Sequence, residues 1–358
     1  GPNRKKRKMN HVEANAHAII MAFPDFYTVP DGGWHIWVCE RLGIIKQGLV
    51  PGGHAAMAII HKETGEIEYA DLGRYTAPKG LARLRTKNTD PDVKIELKGK
   101  FDADGNLVNR EEIIRFFDSN RDIVQSIGAM YVSFNDTINY EKAMEYIHEM
   151  ERRGSVVYNA FGKDFTNCAR FVRTALLEGN VDGKTQRRLK YTPEPTPCPL
   201  GSVIYGATSG DVYRIWNGDM RPEKRNIVQL MFKYFFTNKP NEHNIKFKSA
   251  NGAFDPPAEG LPGHPKAQWL GGLTKGAWFV VEKPEDLSGR QEFRIRKITA
   301  KKQQIFDYVF RATDESFDIN KPFEVTYDCT ALFCTLLQDG KKFVFEYERP
   351  FKAAAVAK

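Results

Sequence analysis

No stretch of the sequence holds the ~20 consecutive apolar residues that a membrane-spanning helix requires. The apolar run near the start, "HAIIMAF" (17–23), follows a polar lead and is too short for the core of a signal peptide. Without a visible export signal the expected location is the cytoplasm, with delivery as an effector as the alternative. Cysteine is scarce. Cys39, Cys168, Cys198, Cys329 and Cys334 are odd in number and widely spaced, which argues against a disulfide framework. No CxxC or HExxH occurs, so a structural zinc is not expected, and no cofactor is called for. Cys329 and Cys334 flank "TALF" in an apolar, strand-like run and read as core. Basic–aromatic stripes and zinc-finger spacings are also missing, so no nucleic-acid partner is expected. The run "RKKRK", Arg4 to Lys8, supplies five of the eight net positive charges and reads as a solvated tail. No internal repeat is present.

What is present belongs to a folded globular protein: 41% of residues are hydrophobic and 12% aromatic. At 358 residues the chain is long for one core and implies two domains. The clearest local signal is "GGHAAMAIIHKETGEIEYADLGRY", in which two apolar runs flank "HKETGE" and Gly65 suits a turn position with positive φ. It predicts a hairpin of 55–60 against 67–72, with Ile60 opposite Ile67 and Ala56 opposite Asp71. A strand "VKIELKG" and a turn at Gly105 are expected next, followed by a helix capped by Asn109. "YEKAMEYIHEMERRG" predicts a helix with Ala143, Tyr146, Ile147 and Met150 on one face, closed by Gly154. "DFTNCARFVRTALLEG" (164–179) predicts another, capped by Asp164 or Thr166 and ended by Gly179. "YTPEPTPCPLG" (191–201) holds four prolines and cannot form a helix or an inner strand. The expected organisation is therefore a basic tail at 1–9, a first domain at 10–190, a proline-rich linker at 191–201 and a β-rich domain at 202–358. "SVIYGATSGDVYRIW", "GAWFVVEK", "EFRIRKI", "FEVTYDCTALFCTLL" and "KKFVFEYE" are its β-type runs, interrupted by a helix in "RNIVQLMFKYFF".

Cys168 stands out because it lies in the first turn of its helix. Unpaired backbone N–H groups and the helix dipole there favour a thiolate, and the Cys168 N–H is a natural oxyanion donor. The base must come from elsewhere. His54 follows "PGG" and opens the first hairpin strand. Residues two apart on a strand share a face, so His54 and Asp71 point to the same side, where a carboxylate orients an imidazole. Each piece alone is more often structural, and a one-residue register slip breaks the alignment. Asn167 and Tyr158 are candidates to assist the oxyanion or touch substrate. Arg74, Tyr75, Arg83 and Arg85 either bind a substrate carboxylate or phosphate or form a solvated loop. His35, between Trp34 and Trp37, either lines a pocket or packs in the core.

"GGHAAMAII", the hairpin, and "NCARFV" at a helix start together resemble the circularly permuted branch of the NlpC-type papain-like superfamily. Lecithin:retinol acyltransferase-like and YiiX-like proteins belong to that branch. The resemblance covers roughly 17–179, and "DLGRYTAPKGLARLRTKNTDP" (71–91) resembles a bacterial family of unknown function placed in it. It implies an α+β fold: a permuted papain-like domain with an antiparallel sheet packed on helices, followed here by the β-rich part. It implies Cys168 as nucleophile, His54 as base and Asp71 as the third residue. The acyltransferase members carry a second histidine at that third position, where this chain has Asp71. The implied function is a cysteine-dependent hydrolase or acyltransferase acting on an amide, ester or thioester, with peptide, lipid or acylated substrates. The alternatives are an inactive papain-like binding protein, whose C-terminal half engages a protein partner, or an effector toxin using the same site.

Overall fold

The computed structural model describes residues 12–30, 34–159, 166–242 and 253–352. The basic run and the expected cap Asp164 lie outside these. In chain order the first part contains β1 (Ala16–Phe23), α1 (Trp34–Arg41), β2 (His54–His61), β3 (Ile67–Gly73) and β4 (Leu81–Arg85). Then come α2 (Arg110–Ser119), α3 (Arg121–Val124), β5 (Met130–Ile138), α4 (Tyr140–Arg153), β6 (Val156–Val157), α5 (Cys168–Gly179) and α6 (Gly183–Lys190). It ends with α7 (Pro199–Gly206), β7 (Val212–Trp216), β8 (Asp219–Pro222) and α8 (Ile227–Phe232). The eight strands form one antiparallel sheet in the order β6-β4-β3-β2-β1-β5-β7-β8.

Both faces of this sheet are covered, which explains why β1 and β2 read as nearly unbroken apolar runs. Ala16, Ala18, Ile20, Ala22, Ala55 and Met57 face a core shared with α4, α5 and α7. Ile19, Met21, Phe23, Ala56 and Ala58 face a second core under α2 and α3. Alanines on the first face let helices approach closely. A Cβ on Gly206 of α7 would come within 2.3 Å of Ile20.

Several expectations are corrected here. Ser202–Gly206 is helical, part of α7, because the Cys198 sulfur and Pro199 start a helix there. β7 and β8 pair onto β5 and extend the first sheet, so 191–201 is not a linker between domains. Short strands of alternating residues carry no mark of which sheet they join. "VKIELKG" forms no strand, and "WHIWVCER" forms α1 although its apolar residues keep no clean period.

The second domain is a seven-stranded antiparallel sheet in the order β13-β14-β15-β12-β11-β10-β9. Its strands are β9 (Gln268–Leu270), β10 (Ala277–Glu282), β11 (Glu292–Thr299), β12 (Gln304–Ala312), β13 (Glu324–Cys329), β14 (Phe333–Gln338) and β15 (Lys341–Pro350). It rolls into a barrel-like shape around an aromatic core that includes Phe293, Phe310, Phe317 and Phe345. Cys329 and Cys334 face each other across β13 and β14 and are buried in that core. The Gln268 side chain bridges the two edge strands. Gln268 Nε2 donates to Phe323 O (2.9 Å), and its Oε1 accepts from Val325 N (2.7 Å). Gln268→Leu leaves both backbone groups without partners and is expected to lower stability by about 1–3 kcal/mol. A urea midpoint measurement checks this, and a change within error would show the seam to be dispensable.

The domains are tied together beside β4. Arg83 holds Asp90 in a fork (2.5 and 2.8 Å), and Lys297 of β11 reaches the same carboxylate at 2.8 Å, all three being buried. Ala331 N donates to Thr89 O (3.0 Å), and Thr274 N donates to Arg74 O (3.0 Å). Burial lowers the Lys297 ammonium to about 8, with the Arg83 charge adding to the effect and Asp90 opposing it. The unfolded value, near 10.5, lies above the folded one. The unfolded chain therefore binds more protons between the two, and this group makes stability rise with pH across that window. Lys297→Met is expected to flatten that part of the stability–pH curve. An unchanged slope would show that the ammonium is not desolvated.

Candidate active site

The site forms where β2 begins. Gly53 adopts φ +64°, and a Cβ there would crowd Phe23 O at 3.3 Å. That glycine lets the chain turn sharply into His54, the first residue of β2. The hairpin register pairs Ala56 with Asp71 and Ile60 with Ile67, so His54 and Asp71 lie on the same side. Their side chains meet: His54 Nε2 lies 3.1 Å from Asp71 Oδ2, with both residues buried.

Asp71 is held from several directions. Arg85 forms a fork to it, Nε to Oδ1 at 3.0 Å and Nη2 to Oδ2 at 2.6 Å. Tyr69 and Tyr75 donate their hydroxyls to Oδ2 at 2.8 and 2.6 Å. Tyr75 folds back over Gly73, where a Cβ would come within 2.6 Å of its ring. Burial would raise the Asp71 pKa, but the Arg85 charge and the His54 bond outweigh it and hold the carboxyl well below the usual range.

Cys168 arrives from the other face of the sheet as the first residue of α5. Asn167 is the N-cap, its Oδ1 accepting from Arg170 N at 2.9 Å. This replaces the expected caps, Asp164 and Thr166, and places Asn167 in helix capping. The Cys168 sulfur takes hydrogen bonds from the Ala55 backbone N–H and from the Tyr158 hydroxyl, the latter at 3.9 Å, and it also bonds the His54 ring. With Nε2 turned to Asp71, Nδ1 is the ring nitrogen left for the thiol. Burial alone would push the thiol up, yet the His54 bond and charge bring it below its ordinary value. Burial likewise lowers His54, but Asp71 and Cys168 together raise it to about 9. Both shifts run in the direction that favours a thiolate–imidazolium pair.

The remaining candidates divide. Tyr158 lies against the sulfur. Arg74 stacks on the Tyr158 ring with Cζ 4.7 Å from the centroid, and its Nη2 donates to Thr28 Oγ1 (2.5 Å) and Val29 O (3.1 Å). Tyr75 braces Asp71. Arg83 and Arg85 are buried and paired with Asp90 and Asp71, which corrects their reading as substrate anchors or a solvated loop. His35 falls in α1, and its side chain lies outside the described residues.

Two features escaped the sequence reading. Arg85 as the partner of Asp71 was accessible, because extending the hairpin register into β4 sets Asp71 opposite Arg85. The cavity beside Cys168 was not. It has a volume of about 290 Å³, and its walls come from residues 28–30, α1 and Ile44, 50–52, Arg74, Tyr158, the start of α5, the proline-rich 194–199, and Met231 with Phe235. Stretches far apart in the sequence build it, and no local pattern announces that. Among the described residues no group of His, Cys, Asp and Glu could hold a metal ion, and no helix is long and apolar enough to cross a membrane.

None of the curated proteins matches the chain. A solved structure that matches is the crystal structure of the type VI secretion system effector TseH, at 13% identity and a TM-score of 0.39, covering 59% of this chain and 99% of that one. Residues 267–348 match the family model described as the DUF6695 C-terminal domain. Residues 18–185, the segment containing His54, Asp71 and Cys168, match the model of the type VI secretion system effector TseH-like family, so this part of the chain is similar to secreted bacterial effectors.

Proposed function

We propose that the protein is an effector enzyme, a cysteine hydrolase that cleaves an amide or ester through an acyl-enzyme. The observation that carries this reading is the buried contact of Cys168 with an imidazole whose far nitrogen is bound to a carboxylate. The chain order, with His54 and Asp71 upstream of Cys168, is read as a permuted papain-like arrangement.

In the mechanism the Cys168 thiolate attacks the substrate carbonyl carbon and a C–S bond forms. The oxyanion is held by the Cys168 backbone N–H at the start of α5, with the Tyr158 hydroxyl close by. As the C–N or C–O bond breaks, the His54 imidazolium gives its proton to the leaving amine or alcohol. Water then attacks the thioester carbonyl, His54 takes its proton, the acid departs and the thiolate is restored. Asp71 holds the ring in orientation and stabilises its charged form.

The test is alkylation by iodoacetamide across pH with the modified cysteines mapped. Cys168 is expected to react well below pH 7. Cys198, partly buried beside Glu194 and raised to about 11 by desolvation and that charge, is the internal control and stays unreacted there. If Cys168 reacts no faster than Cys198, the nucleophile assignment is wrong.

A further inference from the structure

The cavity beside Cys168 is lined chiefly by apolar groups, among them Val29, Ile36, Ile44, Pro197, Met231 and Phe235. Its two charged members, Arg74 and Glu194, each hold a partner within the protein. Arg74 is bonded to Thr28 and Val29. Glu194 is paired with Arg173 at 2.7 Å and leaves its Oε2 buried without a hydrogen-bond partner. A peptide rich in carboxylates would meet that anion and little to bind it, whereas a hydrocarbon chain suits the rest of the wall.

The segments that wall the cavity also present apolar side chains to solvent. On α1 and the turn after it, Ile36 and Cys39 face inward, while Trp37 is 57% and Leu42 56% exposed. On α8 and the turn after it, Met231 and Phe235 face inward, while Val228, Phe232 and Phe236 are exposed. The two segments are joined by Lys46 Nζ, which donates to Phe236 O at 3.0 Å. Cations are interspersed along them: Arg41 stacks on Trp37 at 4.4 Å, and Lys46, Lys233 and Lys239 follow, against Glu40 and Glu242. Exposed aromatics mixed with basic residues, continuous with an apolar cavity, fit an anionic lipid interface better than water.

We infer that this face docks on an anionic membrane surface and that the cavity receives a lipid acyl chain, which makes a lipid ester the substrate. The inference rests on the thiol chemistry proposed above. Thiolate attack would form the S–acyl bond and break the ester C–O bond, the alcohol leaving with the His54 proton. Water would then release the fatty acid.

Two measurements test it. The first is co-sedimentation of the full chain with phosphatidylglycerol vesicles and with phosphatidylcholine vesicles. Binding is expected to the anionic vesicles, to weaken with salt, and to fall at least tenfold in Trp37→Glu/Phe232→Glu, whose folding is checked by circular dichroism. The second is the alkylation rate of Cys168 with N-butyl and N-octyl iodoacetamide, each divided by its rate with free cysteine. The octyl reagent is expected to react several-fold faster, and Met231→Glu to erase that preference. No binding to anionic vesicles, or a rate independent of chain length, overturns the inference and leaves the face to a protein partner. Plain iodoacetamide separates the two levels. If it labels Cys168 below pH 7 while chain length has no effect, only the lipid inference falls. If it does not, the thiol chemistry falls, and the inference with it.

Discussion

Asp71→Ala is expected to destabilise the protein by about 3–5 kcal/mol, because it strands a buried guanidinium. Arg85 is 1% exposed, its Nε and Nη2 both point at Asp71, and its Nη1 already has no hydrogen-bond partner. Two tyrosine hydroxyls and His54 lose an acceptor in the same step. Removing both charges is a different experiment. Asp71→Leu/Arg85→Met takes away the uncompensated ion and is expected to recover most of the loss, while leaving His54 without its orienting carboxylate. The urea midpoints of the two variants decide the matter, and a cost below about 1 kcal/mol for Asp71→Ala would contradict a desolvated pair. The pH sense follows from the depressed carboxyl of Asp71. Its folded value lies below the unfolded one, so its contribution is present above the ordinary carboxylate range and is lost only as pH falls through the lower, folded value. The wild type should therefore keep this contribution into acid where ordinary carboxylates have already protonated.

His54→Ala carries the largest expected effect on reactivity. Without the imidazolium, burial again dominates at Cys168 and returns the thiol to its ordinary range or above. An ordinary thiol, with pKa ~8.5, is well under one per cent ionised near pH 6, so the alkylation rate there is expected to fall roughly 100-fold. Hydrolysis by the wild type should show two limbs. The acid limb follows the lowered thiol. The alkaline limb follows His54: its charged form is complete below the unfolded value of 6.5 and is lost as pH rises through about 9, removing the proton donor to the leaving group. A variant that alkylates as fast as wild type near pH 6 would show that another group, or the helix start alone, ionises the thiol.

Much of this constellation was legible in the chain because it rests on local rules. The turn at Gly65 sets the hairpin register, and the register puts His54 and Asp71 on one side. Period-of-two alternation in "LARLR" would have carried the same logic to Arg85. What was not legible depends on assembly. The expected boundary at 191–201 failed because proline content shows where regular structure stops, and a sheet can resume beyond it, as β7 does beside β5. The role of Arg83 was hidden because its partners, Asp90 and Lys297, come from a loop and from another domain. A cysteine on one face of the sheet and a histidine on the other meet only because both sit at the same strand end, which is a property of the packing.

The proline-rich stretch has a further consequence for binding. Pro30, Pro51, Pro195, Pro197 and Pro199 form part of the cavity wall. Each fixes one backbone torsion in the free protein. A wall of this kind has little conformational freedom to surrender when a ligand enters, so association loses less entropy than it would against a flexible loop. The same stiffness forbids adjustment. A guest that is too short leaves a void and one that is too long is excluded, so the cavity should act as a gauge of length.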